Sequence, residues 1–410
     1  MEIAGPSTSS SLRIALVCPY SLSRPGGVQG QVIGLARAQE AAGHRATVFA
    51  PLDDAGDAPT GVDLVATGRS VSLPANGSMA PVSLSVRSAA RALHSLESMS
   101  FDVVHVHEPF TPGLPYGLLV GRDVPPMVAT FHRNGGSALY TLLGPLVRRL
   151  AGRLAVRTAV SEAARATASH ALGGTYEVGF NGIELDRYRD VVPWPADRPT
   201  ILFLGRHEER KGLRVLLEAF DRMVDRPGGD RGGDSRGGDG RADGRAHRHR
   251  PRLWIAGDGP RSDALRRDHP ESSDVAWLGV LPEDEKVRRL AAADVLCAPS
   301  LGGESFGMVL LEAMAARTPV VASDIDGYRS AAGGCAVLVP PGDAPQLADA
   351  LAGVLSGELA VSGGVTGPDG EAPRRCWLSA GARRAELWSM ERLAGWYEGW
   401  YRSAMVGPRP

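Results

Sequence analysis

The sequence predicts an α/β protein built from two doubly wound parallel sheets, and three observations predict it. Short runs rich in Val, Ile and Leu alternate with longer helical stretches, as in strands buried on both faces and joined by crossover helices. That alternation starts twice, at residues 12 to 20 and again at 199 to 206, with the proline-bearing stretch "DVVPWPADRP" (190 to 199) as a hinge between them. Residues with chemistry to offer gather where predicted strands end, which is where open parallel sheets bind ligands. At 410 residues the chain also exceeds what one hydrophobic core supports, so two domains of about 150 to 200 residues each are expected.

Taken in order, residues 1 to 11, "MEIAGPSTSSS", have no apolar core and read as a disordered tail, not a signal peptide. A first domain follows over 12 to 190. Its strands are "LRIALVCPY" (12 to 20), "RATVFAP" (45 to 51), "FDVVHVHEP" (101 to 109), "MVATFH" (127 to 132) and "RTAVS" (157 to 161). Helices fill the gaps at 28 to 42, 84 to 98, 138 to 153 and 161 to 171. The second domain, 199 to 375, repeats the pattern with "PTILFLGR" (199 to 206), "RLWIAGDGP" (252 to 260), "VAWLG" (275 to 279), "DVLCAPS" (294 to 300), "TPVVASD" (318 to 324) and "GGCAVLVPPGD" (333 to 343). Residues 226 to 250, "RPGGDRGGDSRGGDGRADGRAHRHR", are nearly free of apolar side chains. Such a segment cannot bury enough surface to offset chain entropy and is expected to form a disordered loop that interrupts this domain without dividing it.

Composition excludes several classes of function. With 45 Lys plus Arg against 46 Asp plus Glu, the formal charge of -1 gives no global reason to bind nucleic acid, so any anion site must be local. Cys18, Cys297, Cys335 and Cys376 lie far apart with no CxxC pair. That argues against a zinc ribbon or a disulfide framework and fits a reducing cytosol. Apolar runs fall far short of the roughly 18 to 20 residues of a membrane span, which leaves peripheral contact with the inner membrane face as the only membrane association expected.

Several strand ends carry candidate chemistry. "PYSLSRPGGVQG" puts Gly26 and Gly27 between the first strand and the next helix; such glycines suit a phosphate at a helix start, and equally a plain tight turn. "FLGRHEERKG" places Arg206 and Lys211 five residues apart in a strand-to-helix loop. Together they would neutralise a diphosphate; separately they would be solvated loop cations. His132 closes "MVATFH" at the rim where sheets present catalytic groups, though a structural histidine fits there too. His105 and His107 in "HVHEP" have metal-like spacing but no further ligand cluster, which favours packing and hydrogen bonding. In "GGESFGMVLLEAMAA" Glu304 precedes a helix expected to begin near Ser305, and Glu312 lies inside it. At about 1.5 Å per residue the two carboxylates stand on the order of 10 Å apart along that helix. They could each accept from a diol, one on a hexose and one on a ribose, with a diphosphate between them.

Glu304 and Glu312 in "ESFGMVLLE" match the E-x7-E motif of retaining glycosyltransferases, and the chain resembles glycosyltransferase family 4. The likeness runs through "VCPYS", "PGGVQ", "HEP", "ATFH", "NGIE" (181 to 184), "LGR", "KG", "GDGP", "GGESFG" and "ASDIDGYR" in the family's order. It implies a GT-B architecture, two Rossmann-like domains facing across a cleft, with a terminal helix at 380 to 402, "WSMERLAGWYEGWY" within it, crossing back onto the first domain. It implies that Arg206 and Lys211 hold the donor diphosphate, Glu312 the ribose, and Glu304 with the amides of Ser305, Phe306 and Gly307 the sugar. His132 would sit near sugar and leaving phosphate, Gly27 near the diphosphate, and Tyr20, Asn76 and Ser78 near the acceptor. No metal and no cofactor beyond the nucleotide-sugar substrate is implied.

Within the family, "CPYS", "PGGVQ" and "PANGSMA" (74 to 80) look most like the bacterial phosphatidyl-myo-inositol mannosyltransferase branch. That implies mannose from GDP-mannose and an acceptor hydroxyl on a phosphatidylinositol-type lipid or another small glycoside. The chain departs from the branch where Pro81 replaces an acceptor-phosphate arginine. It departs again in "SVRSAARALHSL" (85 to 96), which carries only Arg87 and Arg91 where the branch has a denser basic cluster, and Phe180 stands where the family often has proline. A nucleotide-sugar epimerase or a phosphorylase on the same fold, or a silent nucleotide-sugar-binding protein, are the rival readings.

Overall fold

The computed structural model describes residues 10–24, 26–75, 78–133, 144–225, 250–304, 306–359 and 373–406. Most of the predicted tail, nearly all of the insert at 226 to 250 and the start of the helix at 138 to 153 lie outside them. The chain forms two compact units, one running to Glu184 and resuming at Trp388, the other Leu185–Leu387.

In the first unit the strands are β1 (Arg13–Val17), β2 (Arg45–Ala50), β3 (Asp63–Ala66), the hairpin β4 (Val71–Ala75) and β5 (Ser78–Val82), β6 (Val103–His107), β7 (Met127–Phe131), β8 (Val156–Ala159) and β9 (Glu177–Val178). Its helices are α1 (Gly27–Ala41), α2 (Val86–Ser98), α3 (Leu114–Val120), α4 (Gly144–Ala151) and α5 (Glu162–Leu172). Among the described residues the sheet order is β3-β2-β1-β6-β7-β8-β9, parallel throughout. Strands β1, β6 and β7 carry no apolar/polar alternation because both faces are covered, and every residue of β6 and β7 is buried. The order reverses between β1 and β6, which opens the carboxyl ends of those strands.

The second unit contains β10 (Thr200–Leu204), α6 (Leu213–Asp225), β11 (Arg252–Ala256), α7 (Ser262–Asp268), β12 (Val275–Gly279), α8 (Glu283–Ala292), β13 (Val295–Ala298), α9 (Met308–Ala315), β14 (Val320–Ser323), α10 (Asp326–Ala332), β15 (Val337–Val339), α11 (Ala344–Ser356) and α12 (Pro373–Glu386). Its parallel sheet runs β12-β11-β10-β13-β14-β15, with the reversal between β10 and β13. One core of Ile201, Leu216, Leu253, Val295 and Leu351 joins this sheet to its helices.

Three expectations change. The units divide at Glu184/Leu185, ahead of the proline-bearing stretch, which is fastened to the second unit and is not a free hinge. There the Trp194 N–H bonds to the Arg288 carbonyl at 3.0 Å, and the Arg288 and Arg289 guanidinium groups lie 4.8 and 4.3 Å from the Trp194 ring centroid. The single terminal helix at 380 to 402 is two helices, α12 in the second unit and α13 (Met390–Val406) in the first. Ser389 makes the break, its hydroxyl accepting from the Arg392 N–H as an N-cap. Met390, Leu393, Tyr397 and Tyr401 of α13 then fill the core beside Ile14, Leu16 and Leu35. Phe180 also finds a role, edge-on against Trp388 with centroids 5.2 Å apart.

Candidate functional site

In the second unit, the loops that follow β10 and β13 meet at the reversal point. The Leu301 N–H donates to the Arg210 carbonyl at 2.7 Å. Gly212, at φ 69°, passes so close to the Pro299 carbonyl that a Cβ would strike it. That contact and the left-handed backbone both require glycine. The clasp brings Glu304 to Lys211, one of the two cations predicted from "FLGRHEERKG", and to Arg210. One carboxylate oxygen, Oε1, takes Lys211 Nζ at 2.6 Å and Arg210 Nη1 at 2.9 Å. Glu208, buried, accepts from Arg210 Nε at 2.9 Å on one oxygen, and Arg206 Nε lies 3.0 Å from the other as an ion pair. Arg206 and Lys211 therefore do not stand as a bare pair. Each is held by its own carboxylate, and Arg210 bridges the two. Three cations against two carboxylates leave a net positive cluster at strand ends, the electrostatics an anion needs.

The helix expected near Ser305 begins later, at Met308, because Gly307 adopts φ 87° as its N-cap. Ser305 itself lies outside the described residues. Phe306 is buried, and a Cβ on Gly307 would press into the ring of Tyr328. Tyr328 bonds to Ser300 through its hydroxyl at 2.8 Å, and burial, aided by the Glu304 charge, holds its phenol protonated well above the ordinary range. Glu312 sits on α9 and meets Lys286 Nζ of α8 at 3.2 Å, while Glu283 holds the same ammonium at 2.8 Å. Burial pulls Lys286 down, but the two carboxylates outweigh it and its pKa is raised. Glu208, Arg210, Lys286, Ser300 and Tyr328 were not singled out by the sequence reading.

In the first unit the strand ends at the β1/β6 reversal carry a second set. Gly26 is extended at φ −167°, but a Cβ there would strike the buried side chain of Gln29, whereas a Cβ on Gly27 would meet nothing, so close packing asks for glycine at 26 and not at 27. Tyr20 bridges to Val82, and burial followed by the Glu108 charge pushes its phenol up. Asn76 is outside the described residues; Ser78 faces Ala75 across the β4/β5 hairpin, and Pro81, buried, faces Ser72.

His132 follows β7, and its ring Nε2 lies 2.8 Å from Nδ1 of His107. His107 stacks on His105 at 4.3 Å between centroids, and His105 bonds to the Tyr401 hydroxyl at 2.8 Å and to Thr130 at 2.6 Å. The backbone N–H of His132 donates to Glu108 at 2.6 Å. Burial pulls His105 down to about 3, His132 to about 4 and His107 well below 6.5, and raises Glu108. All three imidazoles are neutral at pH 7. On the same unit, α2, α3 and α4 enclose an apolar cavity of about 610 Å³ lined by Val86, Leu93, Phe110, Tyr116, Val120 and Leu146, among others. Arg87 and Arg91 of α2 are exposed.

Two Rossmann-like sheets, the second with a cationic cluster at its reversal point, are the build of a GT-B glycosyltransferase. The comparisons agree with that class. The family profile described as "Glycosyltransferase Family 4" matches residues 25–187, and that described as "Glycosyl transferases group 1" matches 198–357. A phosphatidyl-myo-inositol mannosyltransferase of Mycolicibacterium smegmatis is 34% identical over 94% of this chain and 95% of its own length. One from Mycobacterium leprae is 36% identical over 85% and 88%. Among solved structures, a glycosyltransferase from Rickettsia africae superposes with TM-score 0.67 at 15% identity over 98% of this chain and 100% of its own. A sucrose-phosphate synthase from Thermosynechococcus elongatus gives 0.66 at 19%, over 95% and 98%. This chain belongs to glycosyltransferase family 4, and it is a hexosyltransferase.

Proposed function

We propose that the protein transfers mannose from GDP-mannose, with retention of configuration, to an acceptor hydroxyl on a phosphatidylinositol-type lipid. The observation that carries the donor half is the convergence of Lys211 and Arg210 on one oxygen of Glu304, beside Arg206 on Glu208. A diphosphate entering this cluster exchanges carboxylate partners for phosphate oxygens. Glu304, so released, is set to accept from sugar hydroxyls. Arg206 and Lys211 then stabilise the charge that grows on the leaving diphosphate without a metal. The departing phosphate takes the acceptor proton on the same face of the sugar. The Lys286 and Glu312 pair would hold the nucleoside, with the carboxylate on the ribose diol.

The acceptor half rests on relatives named phosphatidyl-myo-inositol mannosyltransferase and on the apolar cavity of the first unit, which has the chemistry of an acyl chain. A thermal-shift panel tests the donor, since ligand binding to the native state adds RT ln(1 + [L]/Kd) to stability. GDP-mannose is expected to raise Tm more than UDP- or ADP-sugars do. A larger shift with UDP-glucose than with GDP-mannose would overturn the donor assignment.

A further inference from the structure

We propose that His107 is a positioning residue that fixes His132 in the Nδ1–H tautomer, so that His132 meets its ligand as a hydrogen-bond donor and never as a base. This rests on the reading that His132 belongs to the active region.

The argument begins at the other nitrogen of His107. His107 is 2% exposed, and its Nε2 is buried with no hydrogen-bond partner. A neutral imidazole carries one N–H, and burial keeps both rings neutral at pH 7. With the proton on Nε2, His107 would bury an orphaned donor. With the proton on Nδ1, the orphan is a lone pair, and buried unpaired donors are the rarer and costlier case. The Nδ1–H of His107 therefore donates across the 2.8 Å contact to Nε2 of His132. Nε2 of His132 is then an acceptor and its single proton sits on Nδ1.

His132 cannot simply turn away. Its backbone N–H is pinned to the buried carboxylate of Glu108 at 2.6 Å, and its ring meets that of His107 edge to edge, the two planes inclined by 25°. His107 in turn is held in plane by His105, whose two nitrogens are both engaged, by Tyr401 and Thr130. The lone pair of His132 is spent on His107, so the nitrogen left for a ligand offers a proton. It suits an oxygen that accepts, on a sugar or a phosphate, and it is unfit to take a proton from an attacking hydroxyl. That agrees with a reaction in which the departing phosphate is the base.

Long-range proton–nitrogen spectra of the full chain labelled with ¹⁵N-histidine test this directly. The His107 and His132 signals are assigned by loss in His107→Asn and His132→Gln. Both residues are expected to show a pyrrole-type Nδ1 and a pyridine-type Nε2 between pH 6 and 8. His107→Phe, which keeps a ring but no nitrogen, should release His132 into a mixture of tautomers. It should also lower GDP release from GDP-mannose with phosphatidylinositol vesicles about tenfold, the scale of one hydrogen bond. His107→Asn, with an amide nitrogen near the position of Nδ1, should restore most of that loss. A pyrrole-type Nε2 on His132 in the native protein would overturn the proposal, as would a tautomer pattern unmoved by His107→Phe. If the spectra come out as expected and His132→Gln leaves turnover intact, the tautomer assignment stands and the place of His132 in the reaction falls.

Discussion

Glu304 is one carboxylate serving two cations, and that arrangement sets what each substitution should do. In the proposed mechanism Arg206 and Lys211 gain most when the leaving diphosphate gains charge, so Arg206→Ala and Lys211→Ala should lower kcat far more than donor affinity. The loss is expected on the order of 2 to 4 kcal/mol in the barrier, the scale of one preorganised donor. Glu312→Ala should differ, because the ribose it is proposed to hold does not change during reaction. Its loss should raise KM with kcat less affected, while Lys286 keeps Glu283 at 2.8 Å. Steady-state kinetics with chelator present throughout decide it; an effect of Arg206→Ala on KM alone, or inhibition of the native enzyme by chelator, would sink the metal-free mechanism. At this scale the sequence held an unread signal. The chain uses lysine at just two positions, Lys211 and Lys286, among its 45 basic residues, and the fold sets one against Glu304 and the other against Glu312. Lysine is the compact, tunable cation, and its scarcity pointed to the candidate site. Glu208 and Arg210 were hidden because "HEER" reads equally well as a solvated turn.

Strands β6 and β7 lie side by side with His107 opposite Thr130, and the strand period of two puts His105 and His107 on one face. That much was legible in "HVHEP". Their partner was not, because Tyr401 is 296 residues away and reaches them only when α13 joins the first core. Strand β3 and the β4/β5 hairpin were also missed, since β3 is half-exposed and lacks the apolar run that announces a buried strand. The neutral histidine stack has a consequence for pH. Unfolded, each ring titrates at its ordinary 6.5; folded, His105 waits until about 3 and His132 until about 4. Below pH 6.5 the unfolded chain binds the protons that the native state refuses, so stability is full above 6.5 and is lost as pH falls toward the folded values. One unit below 6.5, each such histidine costs on the order of 1 kcal/mol, and the costs of His105, His107 and His132 act in the same direction. Urea unfolding of the native chain and of His105→Gln between pH 7.5 and 5.5 checks this. A flat stability profile across that range would show that the stack does not stay neutral.

At the scale of the whole molecule, net charge offers no reason to expect attraction to an anionic membrane. The formal charge is -1, and among the described residues no helix is long and apolar enough to cross a bilayer. The lipid acceptor proposed above would be met at a protein surface, and the first unit offers a candidate. Around the α2, α3 and α4 cavity, Val86 is 82% exposed, Val120 52%, Leu146 49% and Leu84 47%. Contiguous apolar side chains left open on a water-facing surface mark an interaction site more often than scattered ones do. Arg87 and Arg91 add an anionic-lipid term of about 1 kcal/mol each at most, and that term decays within a Debye length. Burying several Val and Leu side chains contributes about 1.5 to 3 kcal/mol apiece when burial is complete, so the apolar contribution should dominate. Binding to phosphatidylinositol vesicles should therefore persist when salt is raised. Val86→Asp with Leu146→Asp should weaken it on the order of tenfold or more, because two charges would then face hydrocarbon. Arg87→Ala with Arg91→Ala should cost less. Vesicle co-sedimentation across a salt series measures all three. Binding that disappears at high salt, or that survives the double aspartate variant, would mean that basic side chains and not the cavity bring this enzyme to lipid.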